Sequence, residues 1–474
     1  MVETTGVNPR LDRILEIEAR YPVDTWKIND VHIWPVIRTR LYIELAVEDL
    51  NARFDKNTIE EGRKEAQESG KKRKPSRLNT LIDYLHYLWF IVKPLKKSKA
   101  IFVTPGSYNE IFREKYYHKF FDPIRLKSKE YTNSYIIEIG KNPSNQLKNT
   151  FHITDFDHIH RIHERKIRKQ LLITQLDKYD EFCAEVSKIS SIAHRFPQRA
   201  MVEAYYTIKK YEAFFELIFQ KTKVREAFSL CYYIDSYVVF GMNLAAHKLG
   251  IESTDIQHGG QGPIHLAYCK YWRLPDSGYY EVMPNFFWCW DSFSVAEIEK
   301  WTKNPKSKLR AFVGGHPWLS FIKEQLNDQA HSELIVLHTL QPLGDLVPES
   351  MIQTIIATGH DVKWLLRLHP RTKSRKGELE SIIKEHHLEN YIHPATFSAI
   401  SLPESLALSR VHLSRWSGSI IEASIMGIPN IILDPIGVTS FQQWIDGGHS
   451  YDASAMTPEQ TAELIHQLIR KYQI

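Results

Sequence analysis

The sequence predicts an α/β protein of two strand–helix series behind a helical N-terminal extension. Three observations carry that prediction. From residue 100 onward, short apolar strand-like runs alternate with segments of helical period. A second alternation of the same kind begins at residue 334. The first 95 residues instead repeat their apolar side chains at helical spacing (Leu11, Ile14, Leu15, Ala19). The chain has 474 residues, 43% hydrophobic and 25% charged, which excludes disordered, collagen-like and disulfide-scaffold classes. Its 61 basic and 56 acidic residues leave a net charge of +5. That mild bias admits an anionic ligand or membrane surface, and no nucleic-acid partner is expected. Cys183, Cys231, Cys269 and Cys289 form no CxxC pair and fit a reducing compartment. The N-terminus lacks an apolar signal core, and no run of about 18 apolar residues occurs. A cytoplasmic protein is therefore expected.

Taken in order, residues 55–77 are polar and charge-rich, and read as exposed or flexible. The apolar stretch Tyr84–Val92 lies between two basic groups, Lys71, Lys72, Arg73 and Lys74 before it and Lys93, Lys96, Lys97 and Lys99 after it. It reads either as an interfacial helix on anionic lipid or as a buried helix with solvated flanks. Strands are expected at Ala100–Thr104, Tyr135–Ile139, Thr150–Thr154, Leu230–Ile234, Ser253–Gln257, Phe286–Trp290 and Ala311–Val313. Residues 156–222 and 236–249 should be helical, the latter ended by Gly250. The second series runs through strands at Leu334–His338, Val362–Leu368, Tyr391–His393, Val411–Leu413 and Asn430–Leu433. Its helices fall at 348–358, 375–387, 419–426 and 457–472. Such alternation implies mostly parallel sheets covered on both faces. The expected divisions are 1–99, 100–325 and 326–474.

Ligands of open α/β sheets bind beyond the carboxyl ends of the strands, and three polar clusters fall there. Arg367, His369, Pro370 and Arg371 follow a strand, and their donors suit phosphate oxygens. Ser417, Gly418, Ser419 and Glu422 stand where a short strand gives way to a helix. Close backbone approach at Gly418 and the helix N-terminus suit a phosphate. Ser419-x-x-Glu422 reads equally as a capping box. Gln257, His258, Gly259 and Gly260 form a glycine-rich turn after a strand, with His258 as a general base or a ligand for substrate. Asp235 ends another strand and serves as base, nucleophile or N-cap. Glu138 is a weaker acid–base candidate, and His316-Pro317 reads as a turn and hinge. No GxGxxG, P-loop, HExxH or CxxC pattern occurs, so no dinucleotide fingerprint and no metal site is expected.

The order QHG, VGGHP, LRLHPR and SGSIIEASIMGIPNII resembles bacterial surface-polysaccharide glycosyltransferases of the GT-B type, over roughly residues 230–460. Kdo-transferase-like, polysialyltransferase-like and CDP-glycerol-transferase-like enzymes are of this kind. The resemblance implies two Rossmann-like domains facing a cleft, with an acceptor domain at 100–325 and a nucleotide-donor domain at 326–474. It implies that His369, Pro370, Ser417 and Ser419 hold the donor nucleotide and phosphates, with Glu422 near the ribose. Relatives often have GNP where this chain has GGHP, so no catalytic role passes to that turn. The implied reaction moves a sugar from a nucleotide-activated donor, a CMP-sugar such as CMP-Kdo or CMP-sialate, to a capsule or lipopolysaccharide glycan or lipid-linked glycan. Neither metal nor cofactor is implied, because the nucleotide-sugar is a substrate. The alternatives are a CDP-glycerol-type phosphotransferase of teichoic-acid-like polymers and a non-catalytic polysaccharide-assembly protein. An enzyme of this kind would be cytoplasmic, peripheral at the inner face of the membrane through residues 71–99.

Overall fold

A computed structural model describes residues 8–53, 77–105, 108–139, 149–188, 196–233, 237–261, 265–303, 305–325, 333–341, 344–398 and 400–472. The expected loop at 55–77 lies almost wholly outside them. So do Lys71, Lys72, Arg73, Lys74 and Asp235.

The helices are α1 (Pro9–Arg20), α2 (Trp34–Arg53), α3 (Arg77–Val92), α4 (Phe121–Lys127), α5 (Asp157–Ile167), α6 (Tyr179–Ser187), α7 (Gln198–Thr222), α8 (Val238–Leu249) and α9 (Ser292–Thr302). They continue as α10 (Pro317–Lys323), α11 (Glu349–Ala357), α12 (Lys376–Glu385), α13 (Leu402–Leu408), α14 (Ser419–Ile425), α15 (Pro435–Ser440), α16 (Gln442–Asp446) and α17 (Pro458–Lys471). The strands are β1 (Lys27–Ile28), β2 (Val31–His32), β3 (Ala100–Pro105), β4 (Asn109–Phe112), β5 (Lys115–His118), β6 (Tyr135–Ile139), β7 (Thr150–His152), β8 (Thr174–Gln175) and β9 (Glu226–Ser229). They continue as β10 (Glu252–Ile256), β11 (Phe286–Cys289), β12 (Arg310–Val313), β13 (Leu334–Thr339), β14 (Val362–Arg367), β15 (Val411–Ser414), β16 (Asn430–Ile432) and β17 (Ser450–Asp452).

The chain divides into two compact α/β units. Unit 1 comprises Met1–His258, Pro263–Cys289 and Val295–Val313; unit 2 comprises Gly259–Gly262, Trp290–Ser294 and Gly314–Ile474. Unit 1 carries a seven-stranded sheet in the order β12-β11-β10-β9-β3-β6-β7, parallel throughout. Unit 2 carries a five-stranded sheet in the order β14-β13-β15-β16-β17, also parallel throughout. Both are Rossmann-like. Strands such as IFV and LIVL are buried along nearly their whole length, as expected where helices cover both faces.

The N-terminal helices do not form a separate extension. Trp26, Trp34, Val36 and Ile37 belong to the same apolar core as Ile101, Phe182 and Tyr205. A buried ion pair, Arg38 Nε to Glu18 Oε1 at 2.9 Å, ties them in further. Arg38 donates to the carbonyl of Leu266, and Glu18 Oε2 accepts from the Trp272 amide at 2.7 Å. Two charges out of water require such complete pairing, and it fastens residues 18–38 to the 266–273 segment. The small antiparallel sheet β2-β1-β8 was not visible in the sequence, because its strands are two residues long.

Two further expectations shift. The strand expected at 230–234 lies earlier, at Glu226–Ser229, and the LCYYI run that follows it is turn-like as far as it is described. The second unit begins at Gly314 rather than 326 and draws in two short segments from earlier in the chain.

Candidate functional site

The strand order of unit 1 reverses between β3 and β9, with β6 and β7 on one side and β9 to β12 on the other. At such a switch point the connections leave in opposite directions and open a crevice at the carboxyl ends of the strands. Tyr108 follows β3, Cys231 to Tyr233 follow β9, and His258 follows β10. Tyr108 Oη lies 3.5 Å from Cys231 Sγ, and that sulfur lies 3.1 Å from His258 Nε2. The Tyr233 hydroxyl lies 3.3 Å from His265 Nε2. His265 Nδ1 accepts from the Ala267 amide, so its ring proton sits on Nε2 and is donated to Tyr233. Cys231 adopts φ 58°, a left-handed conformation that a non-glycine residue holds only when its surroundings impose it.

Beneath this ring lies Asp255, fully buried in β10. Its carboxylate accepts from Tyr268 Oη at 2.7 Å, Ser229 Oγ at 3.0 Å and the Tyr232 amide at 3.0 Å. Burial pushes its pKa up to about 7, against those three donors. Burial pushes His258 down to about 4 and the Cys231 thiol up to about 12. At neutral pH the imidazole is therefore uncharged and the thiol protonated. A neutral imidazole at a sheet's carboxyl edge can take a proton from a hydroxyl group.

Sequence reasoning singled out His258, placed Asp255 in the same cluster without a role, and passed over Tyr108, Cys231, Tyr233 and Tyr268. One signal was available: Asp255 is a charged residue inside a strand of a sheet expected to be covered on both faces. Gln257 is buried, and its amide donates to the Trp288 carbonyl at 2.9 Å. The expected acid–base candidate Glu138 is also buried and accepts from Asn109 Nδ2 at 3.2 Å.

Unit 2 has its own switch point, between β13 and β15. Thr339 ends β13, and its Oγ1 is a hub. It lies 3.0 Å from His412 Nε2, 3.1 Å from Ser414 Oγ and 3.0 Å from Ser419 Oγ. Asn430 Nδ2 donates to Ser424 Oγ, which turns Asn430 Oδ1 toward His412 Nδ1 at 2.6 Å. His412 therefore donates from Nδ1 and accepts at Nε2 from the Thr339 hydroxyl. Burial holds this imidazole neutral, with its pKa pushed down to about 4.

The expected donor-site residues divide over this framework. Ser419 is buried and its hydroxyl belongs to the Thr339 hub. The Ser419–Glu422 capping box does not form. Gly418 occupies the N-cap position of α14 without a side-chain cap, and Ser417 Oγ accepts from the Ser419 amide at 3.3 Å. Glu422 Oε1 lies 3.2 Å from His316 Nε2. His316 Nδ1 accepts from the Leu319 amide at 3.2 Å, so its proton sits on Nε2, facing Glu422. Its ring lies 4.1 Å from that of Trp290. The turn expected only as a hinge thus caps α10 and positions Glu422.

A Cβ on Gly418 would press closely on the chain itself, with Gly260 N 3.3 Å away and Gly259 Cα 3.5 Å. Glycine at 418 eases the close packing of this loop on the 259–260 backbone, whereas a side chain at 259 would meet open space. Arg367 ends β14 and donates through one guanidinium nitrogen to the Ile400 carbonyl at 2.6 Å and to Ser405 Oγ at 3.2 Å. It braces the start of α13, where a phosphate-binding role was expected. His369 is half-buried just beyond β14, and its carbonyl accepts from the Thr372 amide. Pro370 and Arg371 open the turn Pro370–Arg375, and their side chains lie outside the described residues.

Among the described residues, no group of three or more His, Cys, Asp or Glu side chains could hold a metal ion. No described helix is long and apolar enough to cross a membrane.

No protein-family model matches the chain, and no curated protein is similar to it in sequence. Solved structures give distant likenesses. A Listeria monocytogenes protein described as a UDP-N-acetylglucosamine 2-epimerase is 12% identical, with a TM-score of 0.48 over 79% of this chain and 88% of that one. Anabaena HepE in complex with UDP is 10% identical, with a TM-score of 0.40 over 79% of this chain and 91% of that one. The wall teichoic acid polymerase TagF is 13% identical, with a TM-score of 0.41 over 84% of this chain and 91% of that one. These values are too low to assign an activity. The two parallel, helix-covered sheets, each with polar groups at its switch point, are what the chain's own structure establishes.

Proposed function

We propose that the chain is a metal-independent GT-B-type glycosyltransferase that moves a sugar from a nucleotide-activated donor to a surface-polysaccharide glycan. The gathering of Tyr108, Cys231, Tyr233 and His258 at the unit 1 switch point supports this reading best. It supplies a neutral imidazole among polar groups, as activation of an acceptor hydroxyl requires. In this reading His258 takes the acceptor proton, and Asp255 is a positioning residue that fixes Tyr232 and Tyr268 behind it. Unit 2 binds the donor at the carboxyl ends of β14 and β15, through His369 and the Ser417–Gly418 loop, with Glu422 oriented by His316 toward the ribose. Arg367 and Ser419 support this site from behind. Asp235, beyond the described residues, remains the second acid–base candidate.

The donor proposed is a CMP-sugar, such as CMP-Kdo or CMP-sialate, and the acceptor a capsule or lipopolysaccharide glycan, with the enzyme working at the inner face of the cytoplasmic membrane. A thermal-shift screen against CMP, CDP, UDP, GDP and their sugars tests it, because a ligand that binds only the native state raises its melting temperature. Stabilisation by CMP or a CMP-sugar, followed by sugar transfer, is the expected result. Transfer of phosphoglycerol from CDP-glycerol, with release of CMP, would replace this reading with the phosphotransferase one. No response to any nucleotide would leave a binding protein.

A further inference from the structure

Helix α3 is built inside out. Its inward face carries Asp83, Tyr87 and Phe90, at i, i+4 and i+7. Asp83 is buried and clamped by Arg161 at 2.6 Å and Arg165 at 3.1 Å, both from α5. At the other end, Lys221 of α7 donates to the Ile91 carbonyl at 2.6 Å. These contacts fix the rotation of the helix about its axis. The outward face carries Leu81, Leu85, Leu88 and Val92, at i, i+4, i+7 and i+11. They are 58%, 56%, 54% and 77% exposed, and Trp89 beside them is 58% exposed. A water-facing helix carries the opposite pattern, and a continuous exposed apolar stripe marks a contact surface.

Two neighbouring features identify the contact. Lys93, Lys96 and Lys97 follow the helix and are exposed, with Lys93 Nζ 4.4 Å above the Trp89 ring. This is the arrangement of an indole and ammonium groups at a lipid headgroup layer. Behind the same helix is a cavity of about 210 Å³. Its walls include the buried side chains of Phe90, Ile101, Ile137, Phe156 and Ile218, and Trp89 and Lys93 stand at its rim. A dry apolar cavity of about 150 Å³ already admits benzene, so this one has room for a length of hydrocarbon chain. Two of the polar residues lining it are paired within the chain: Asp155 Oδ2 accepts from the His152 amide at 2.8 Å, and Thr222 Oγ1 donates to the Ile218 carbonyl at 2.7 Å.

We propose that α3 lies in the interface of an anionic phospholipid bilayer, its leucine stripe among the acyl chains, and that the cavity behind it receives one acyl chain whose phosphate meets Lys93. This deepens the membrane-surface part of the function proposed above but does not depend on its chemistry, because vesicle binding is read without turnover.

The test is co-sedimentation of the full chain with phosphatidylcholine vesicles, with and without phosphatidylglycerol, in low and high salt. Tryptophan quenching by brominated acyl chains, read as the difference between the chain and its Trp89→Phe variant, is the second readout, because the chain has 11 tryptophans. Binding should require the anionic lipid and weaken with salt, and bromine should quench Trp89. Leu85→Ser with Leu88→Ser should reduce partitioning by about 100-fold or more with an unchanged melting temperature. Leu95→Trp, at the cavity rim, should retain vesicle binding but lower the amount of lipid that co-purifies with the chain. A chain that stays in the supernatant with anionic vesicles overturns the proposal. So does equal binding by the serine variant, or a concentration-dependent dimer that this variant abolishes, which would make a second copy the occupant. Unchanged lipid content in the tryptophan variant would remove the cavity from the proposal.

Discussion

Unit 1 brings a carboxylate, two imidazoles, a thiol and three phenols to the carboxyl side of its sheet: Asp255, His258, His265, Cys231, Tyr108, Tyr233 and Tyr268. Unit 2 reverses its strand order in the same way, yet its switch point holds the hydroxyls of Thr339, Ser414 and Ser419 beside the neutral imidazole of His412. In unit 1, burial moves the pKa of Asp255 into the neutral range, where a change of protonation state is useful. In unit 2, hydrogen bonds satisfy nearly every group of the hub, which makes it rigid. A parallel sheet sets where ligands go, and the side chains on its loops decide between chemistry and binding. On this comparison the proposed proton transfer belongs to unit 1 and the proposed donor binding to unit 2.

The largest expected effect tests unit 1. His258→Ala should lower turnover about 10²–10⁴-fold while nucleotide affinity, measured by calorimetry, stays within a few-fold. Near-normal turnover would move the reactive role from His258 to Asp235, elsewhere in unit 1.

Asp255 gives the next effect, through pH. Its folded pKa, about 7, is raised above the ordinary 3.8. The native state therefore holds a proton that the unfolded state has lost. Its stability contribution is complete below pH 3.8 and is lost as pH rises through 7, by up to about 4 kcal/mol. Urea unfolding at pH 5 and pH 8 should show the wild type losing stability over this interval and Asp255→Asn losing less. Parallel pH curves for the two proteins would show that Asp255 titrates normally.

Two serines sharpen the picture of unit 2. Ser419→Ala removes a buried hydrogen bond from the Thr339 hub and should cost about 1–3 kcal/mol of stability. Ser417→Ala sits two residues away, half-buried, and should leave the melting temperature nearly unchanged while weakening donor binding by about 3–10-fold. If Ser419→Ala instead left stability intact and abolished binding, the hub would be a ligand site rather than its support. Arg367→Ala belongs with Ser419. It should lower stability by about 1–2 kcal/mol through loss of its bonds to Ile400 and Ser405, with a smaller effect on affinity.

Much of the architecture was legible because it rests on local signals. Tyr135–Ile139 is a strand over the expected residues, and Gly250 ends α8 in a left-handed conformation at φ 67°, as a C-terminal glycine should. Legibility failed where local and long-range signals conflict. LCYYI has the composition of a strand, yet the ladder ends at Ser229. Cys231 then turns left-handed, and Tyr232 is held by Asp255 and by the Ala267 carbonyl. The capping box at Ser419–Glu422 failed for a similar reason. Ser419 Oγ lies against Thr339, 80 positions earlier in the chain, and Glu422 lies 3.2 Å from His316, 106 positions earlier. Arg367 was expected at a phosphate, and nothing in the sequence signals that one of its guanidinium nitrogens donates to the distant Ile400 carbonyl.

The sequence alone determined the parallel α/β class, the two series and the strand ends at which polar residues gather, and left Tyr84–Val92 open between an interfacial and a buried helix, because each of these follows from periodicity and from residues near one another in the chain. Only the tertiary structure decided that the N-terminal helices share the core of unit 1, that Asp255 underlies His258, that Ser419 faces inward, that Arg367 bonds Ile400 and Ser405, and that α3 turns its leucines to the outside. Those outcomes depend on which distant group reaches a donor, acceptor or charge first. Arg161 and Arg165 settled the last of them by capturing Asp83, whose place in the sequence is some 80 residues away.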